Sequence, residues 1–257
     1  RVFKKIGLSG RAVIPMVLGL GCDTMATITT RTQETKRERV IATLLLALAI
    51  PCSAQLGVIF ALLAPFPNAL LVWTLVIIGN FLLVGFLVSK VMPGQKPTFF
   101  MELPPLRVPR LGNVLSKTYT RIIWYLKEVF PLFIIASVAI WLMQITGVFP
   151  YILKGLEPLV NSIGLPDTTS DVFLFGFFRR DYGAAGLYEM REMLSANQLT
   201  IAAVVLTLFV PCIAQLMVMF KERGTKTAIG IFLFVLVLAF STGLLLNVVF
   251  NTFSITL

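Results

Sequence analysis

The chain has 257 residues, 57% of them hydrophobic and only 13% charged, with a formal charge of +10. A soluble domain carries about 25% charged residues, so this composition excludes an ordinary soluble fold. Histidine is absent, which removes imidazole ligands and bases, and the basic excess reads as cytoplasmic loops rather than a nucleic-acid footprint.

In chain order, 1–11 is basic (Arg1, Lys4, Lys5, Arg11), and 12–30 is a short apolar segment broken at Gly19-Leu20-Gly21. Residues 31–39 are basic again (Arg31, Lys36, Arg37, Arg39). Residues 40–89 hold no charged side chain and divide at Ala64-Pro65-Phe66-Pro67-Asn68, which predicts two spans, 40–64 and 69–89, at about 20 residues per span. A proline-rich, basic stretch follows, with Pro97, Pro104, Pro105 and Pro109, and predicts a cytoplasmic connector over 93–121 in contact with anionic lipid. Residues 122–147 predict a third span, leading to an external loop over 148–171 with Lys154 against Glu157, Asp167 and Asp171. Residues 172–196 are short and interrupted by charge, and 199–220 and 227–253 predict the last two spans. Seventeen of the 22 Lys and Arg residues fall in four clusters, 1–11, 31–39, 90–121 and 221–226, which the positive-inside rule places in the cytoplasm. The segments 12–30 and 172–196 then start and finish on one side. They read as re-entrant hairpins, which membrane depth tolerates only inside protein or beside a cavity.

Residues 41–56, IATLLLALAIPCSAQL, recur as 201–216, IAAVVLTLFVPCIAQL, at an offset of 160. The topology runs the two copies in opposite directions, each after a hairpin and before a span. The expected architecture is therefore an all-α, polytopic membrane protein with two inverted repeats containing broken or re-entrant helices. The first repeat is 1–92, the connector 93–121, a connecting span and external loop 122–170, and the second repeat 171–257. Inverted repeats with interrupted helices hold substrates at the bilayer midplane in secondary transporters.

Pro51 and Pro211 each remove a backbone donor and free the carbonyl four residues earlier, on Ala47 and Thr207. Beside each kink stand a cysteine and, three residues on, a glutamine: Cys52 with Gln55, Cys212 with Gln215. Soft sulfur beside amide and carbonyl oxygen suits a partly dehydrated transition-metal cation. The same residues also make sense as small hydrophobe, tolerated kink and interhelical glue. Gly21-Cys22-Asp23-Thr24-Met25 is a second candidate, in which Asp23 is either a membrane-depth ligand or the cap of a helix starting at Thr24. In the third, Arg179-Arg180-Asp181, Asp181 matches Asp23 at an offset of 158. An Arg179 or Arg180 pair with Asp181 or Glu189 makes burial bearable, and the arginines read as structural or gating rather than ligating. The odd count of three scattered cysteines argues against a disulfide framework.

The pieces GLSGRAVIPMVLGLGC (7–22), TTRTQETKRER (29–39), the two PC-x-AQL helices and GFFRRDYGAAGL (176–187) resemble the membrane part of FeoB ferrous iron transporters, with its two Gate, or nucleoside-recognition, segments. The resemblance implies Fe(II) uptake across the bacterial inner membrane, with Cys22, Cys52 and Cys212 along the ion path. Many relatives read Gly-Cys-Asn where this chain has Gly21-Cys22-Asp23, which leaves the ligand role of position 23 open. The expected metal-path residues are Cys22, Asp23, Cys52, Gln55, Cys212 and Gln215, and Pro51, Pro211, Arg179, Arg180 and Asp181 are expected to gate or brace.

No phosphate-binding G-x-x-x-x-G-K-[ST] loop occurs, so the chain is not expected to be an enzyme or to hold a cofactor. The family's GTPase, with its GTP and magnesium, is expected on missing sequence or another polypeptide, since the chain starts at Arg1 rather than Met. Expected partners are lipid, that GTPase domain, small cytoplasmic Feo-type proteins and, as an option, further copies of the chain, with no nucleic acid. The alternative is a transporter of an organic solute such as a nucleoside, held by Gln55, Gln215 and Asn80.

Overall fold

Proline and capping residues set the helix boundaries. The computed structural model describes residues 6–92, 111–209 and 211–253, and no strand occurs among them. A 3-10 turn at Gly10–Ala12 leads into α1 (Val13–Gly19), and α2 (Asp23–Thr29) follows after a three-residue bend. Helix α3 (Lys36–Ala49) starts on a capping box, in which the Thr35 hydroxyl accepts from the Glu38 amide and the Glu38 carboxylate accepts from the Thr35 amide. It stops before Pro51, where the residue ahead of a proline is driven out of the helical region, and Ile50 is extended at φ −104°, ψ 107°. The chain resumes as α4 (Ser53–Leu63), then α5 (Pro67–Val91), which carries proline at a first-turn position that needs no amide hydrogen.

The second half repeats this plan. Helices α8 (Thr169–Phe178) and α9 (Arg180–Glu189) form a hairpin with one residue between them. A second capping box, Ser195 with Gln198, opens α10 (Ala196–Leu208), the exact counterpart of Thr35 with Glu38 at the 160-residue offset. Phe209, Pro211 and Cys212 are non-helical, α11 (Ile213–Arg223) resumes, and Gly224 at φ +82° turns the chain into α12 (Thr225–Thr252). The two apolar rods expected to be kinked are thus fully interrupted, each by non-helical residues around its proline.

The chain divides into two compact units, 98–149 and the remainder. The smaller contains α6 (Leu111–Ile145), a 35-residue helix with Pro131 inside it. The expected span 122–147 lies within that helix except at its last two residues. The expected connector 93–121 is helical from Leu111 onward, and 93–110 lie outside the described residues. Helix α7 (Val148–Ser162) leads into the larger unit, to which both expected repeats belong.

In that larger unit four stretches among the described residues are long and apolar enough to span a bilayer: Lys36–Leu63, Pro67–Val91, Ala196–Arg223 and Thr225–Thr252. The broken rods have 56% and 76% of their apolar windows buried, against 22% and 33% for α5 and α12. The rods are therefore internal, and α5 and α12 present apolar faces outward through Leu71, Leu75, Leu83, Leu233, Val237 and Leu245. Helix α10 is apolar on all sides and buried from Leu199 to Leu208, as a core helix must be. The hairpins are exchanged: α2 packs on α11 of the other half, and α9 packs on α4.

Polar contacts fix the ends. Arg11 pairs with Glu34 at 2.7 Å, Arg37 Nε donates to the Met92 carbonyl at 3.0 Å, and Arg31 pairs with Glu222. Parts of all four basic clusters therefore meet at one end of the unit. Gln198 donating to the Gly164 carbonyl at 3.1 Å, and Asn247 packed on Gly164, define another locus.

Candidate functional site

Each hairpin tip and each rod interruption leaves backbone groups without helical partners, and such groups need new ones when buried. In α8–α9 the tip is Arg179, extended at φ −146°, ψ 120°. The two helices cross so closely that a Cβ on Gly183 would lie 2.6 Å from the Gly176 Cα and 2.9 Å from the Val172 carbonyl oxygen. The corresponding tip of α1–α2 ends at Cys22, also extended at φ −155°, ψ 115°. The Ser53 hydroxyl at the start of α4 donates to the Gly21 carbonyl at 3.2 Å, so the first tip sits on the first rod's interruption.

The second tip reaches the same place. Arg180 is buried, with 4% of its surface exposed. Its Nη1 donates to Asp23 Oδ2 at 2.6 Å and to the Ile50 carbonyl at 3.1 Å, and its Nη2 donates to the Ala47 carbonyl at 2.8 Å. The Ala47 carbonyl is indeed the one that Pro51 frees, and a guanidinium occupies it. Gln55, fully buried, donates from Nε2 to the Leu206 carbonyl at 3.1 Å, tying the first rod to the second near both interruptions. At the basic end Arg223 Nε donates to the Thr43 hydroxyl at 3.0 Å. Contacts thus pair 43 with 223 and 55 with 206, rising along one rod and falling along the other.

Two expectations change. Asp23 does not cap a helix beginning at Thr24: it is the first residue of α2, Cys22 is the N-cap, and the carboxylate goes to Arg180. Nor does Asp23 correspond to Asp181. Aligning the extended tip residues matches Cys22 with Arg179 and Asp23 with Arg180, an offset of 157 rather than 158. Asp181 instead pairs with Arg179 at 2.7 Å, with both side chains partly exposed. Arg179 also lies over the Tyr182 ring, 4.4 Å from its centroid.

Cys52 and Cys212 are the N-caps of the resumed half-helices α4 and α11, at φ −70°, ψ 162° and φ −58°, ψ 156°, so they occupy equivalent positions. Both lie within electrostatic reach of Arg180, Asp23 and Cys22. All three thiols are unbridged and half-buried. Gln215 is fully buried like Gln55, yet neither its Oε1 nor its Nε2 has a hydrogen-bond partner; Gln55 Oε1, Asp23 Oδ1, Thr27 Oγ1 and Arg180 Nε are likewise unpartnered. Among the described residues no three Cys, Asp or Glu side chains converge closely enough to hold an ion. At this centre the oxygens of Asp23, Ala47 and Ile50 turn toward Arg180, while Gln55 reaches Leu206 and Gln215 meets no polar partner. Sequence reasoning missed Thr27 and the reach of Arg180 across 157 residues; the recurring capping-box pattern at Thr35 and Ser195 was a readable sign of the repeat.

Interrupted helices lining a polar, partly unsatisfied centre within a multi-pass α-helical membrane protein define a class of protein built to handle a polar solute at membrane depth. Residues 1–66 and 126–226 match the Gate family, described as nucleoside recognition, and residues 70–121 match the ferrous iron transport protein B C terminus. The chain belongs to the Gate family and is the C-terminal membrane part of an FeoB-type protein. It is 26% identical over 98% of its length to the Fe(2+) transporter FeoB of Methanocaldococcus jannaschii. It is 33% identical over 56% of its length to an Fe(2+) transport protein A/Fe(2+) transporter FeoB fusion protein of Porphyromonas gingivalis, and 30% identical over 57% to FeoB of Staphylococcus aureus. The chain spans 43%, 18% and 23% of the lengths of those relatives. No solved structure matches it significantly.

Proposed function

We propose that this chain is the translocation core of a ferrous iron transporter in the bacterial inner membrane, and that Fe(II) passes between the two rod interruptions. The observation that carries the reading is the meeting of both hairpin tips at the first rod's interruption, where buried Arg180 bonds Asp23, with Gln55 tying that rod to the second beside its own interruption and the half-buried thiols of Cys22, Cys52 and Cys212 on those same segments. Borderline-soft sulfur and oxygen donors suit Fe(II) better than alkali ions. The opposed contact order of the rods, with parts of all four basic clusters meeting at one end of the larger unit, supports inverted repeats whose hairpins enter from opposite faces. The names of the relatives support iron over a nucleoside. GTP hydrolysis belongs on a domain outside this chain, and the Porphyromonas fusion supports a small protein of the transport-protein-A type as a cytoplasmic partner.

The test is Fe(II) uptake by the full-length protein carrying Cys52→Ser, Cys212→Ser or both. Each single change is expected to raise the KM for Fe(II) at least about tenfold, the lower end of what disturbing a metal site costs, and the double change more. Uptake unchanged in all three would remove the ligand assignment, and tighter binding of a nucleoside than of Fe(II) to purified protein would favour the organic-solute reading.

A further inference from the structure

The oxygen set at the centre is filled by a side chain. Asp23 Oδ2, the Ala47 carbonyl and the Ile50 carbonyl all face the Arg180 guanidinium, at 2.6, 2.8 and 3.1 Å. A carboxylate and two freed carbonyls are hard anionic and dipolar donors, the kind that binds cations by replacing water. The pair is also incomplete. An arginine built only to brace a carboxylate uses its fork, two parallel bonds to both oxygens. Here Asp23 Oδ1 and Arg180 Nε are both buried and unpartnered, and Nη1 is shared between Asp23 and Ile50.

We propose, resting on the transport reading, that Arg180 is a tethered cation which occupies the Asp23–Ala47–Ile50 oxygens when the pathway is empty and is displaced by a permeating divalent cation. The consequence is selectivity by charge. Sodium or potassium offers the oxygens the same single charge as the guanidinium but none of its three fixed hydrogen bonds, so monovalent ions do not displace it. A dication brings twice the charge and does. Once displaced, Arg180 stays tethered beside the ion by α9, whose close crossing at Gly176 and Gly183 holds the hairpin. Its repulsion keeps the ion from binding too tightly to leave, which conduction requires. Between ions the guanidinium closes the centre to leak.

The experiment uses the full-length protein in detergent or lipid nanodiscs, with Mn(II) as a spectroscopically visible, redox-stable probe. Arg180→Gln is expected to tighten Mn(II) binding by roughly tenfold or more, within the range usual for coupled sites. Excess Na⁺ should compete in this variant and not in the parent, and uptake should show a lowered KM together with a lowered kcat. Arg180→Lys, which keeps the charge, should bind close to the parent value. A folded Arg180→Gln protein that binds Mn(II) no tighter than the parent, and no more sensitively to Na⁺, overturns the proposal. Should that variant fail to fold, the parent itself supplies the answer. Mn(II) should increase modification of Arg180 by phenylglyoxal, followed by mass spectrometry, and unchanged modification overturns the proposal. A parent that binds no Mn(II) and no Fe(II) counts against the transport reading as a whole, whereas binding that is indifferent to Arg180 sinks only the tethered cation.

Discussion

Asp23 and Arg180 are each 3% exposed at the side chain and lie 2.6 Å apart, away from bulk solvent. Removing one member of such a pair strands the other charge, at a cost on the order of 3–5 kcal/mol, whereas removing both is far milder. Asp23→Asn and Arg180→Gln should each lower the unfolding temperature of the full-length protein, and the double variant should lose less than the two losses added. Strictly additive losses would mean that the two groups do not interact. The residues themselves were legible from sequence, since a carboxylate and paired arginines inside apolar hairpins stand out. Their partners were not. Arg180 finds Asp23 across 157 residues, and the local match of Asp23 with Asp181 used an offset of 158, one more than the 157 that aligns the starts of the two second hairpin helices. The carbonyl freed by Pro51 was predictable from proline's missing amide hydrogen, but not that an arginine would take it.

Among elements, the α8–α9 hairpin sets where Arg180 lands, and its crossing leaves no room for a methyl group. Gly183→Ala would push a Cβ to 2.6 Å from the Gly176 Cα, backbone against backbone, where no side chain can yield. Overpacking of that kind costs typically 1–3 kcal/mol, and here it also moves Arg180 off its acceptors. The control is Gly230→Ala in α12, where an added Cβ meets nothing within 4 Å and alanine is the better helix former by about 1 kcal/mol. Thermal unfolding of the full-length protein should fall for Gly183→Ala and hold or rise for Gly230→Ala; the same response from both would contradict the tight crossing. The apolar spans were plain in the sequence because charge-free runs of this length have no soluble explanation. What periodicity could not separate was a kink from an interruption. Proline dictates either, and the outcome depends on whether tertiary partners are present, here Arg180 for the freed Ala47 and Ile50 carbonyls and the Gly21 carbonyl for the Ser53 amide.

Across the whole molecule the repeat is not used symmetrically. Gln55 donates to the Leu206 carbonyl, while its counterpart Gln215 is buried with both amide atoms unpartnered. At the 160-residue offset the counterpart of Leu206 is Leu46. The proposed inverted repeat predicts a second arrangement in which Gln215 donates to Leu46 and Gln55 is released, an exchange of the kind alternating access uses. Gln55→Leu deletes the bond made in the present arrangement and should shift the population toward the other; Gln215→Leu should do the reverse, since it removes a bond that only the other arrangement makes. Two of the three cysteines report the shift, because Cys52 and Cys212 are the N-cap residues of equivalent half-helices on opposite rods. In the full-length protein in vesicles, a membrane-impermeant thiol reagent applied from each face, read at Cys52 and Cys212 by mass spectrometry, should give labelling ratios that move in opposite directions in the two variants. Ratios that stay at the parental value in both would show that the glutamine bond does not distinguish two states, and the asymmetry would then belong to a single resting packing.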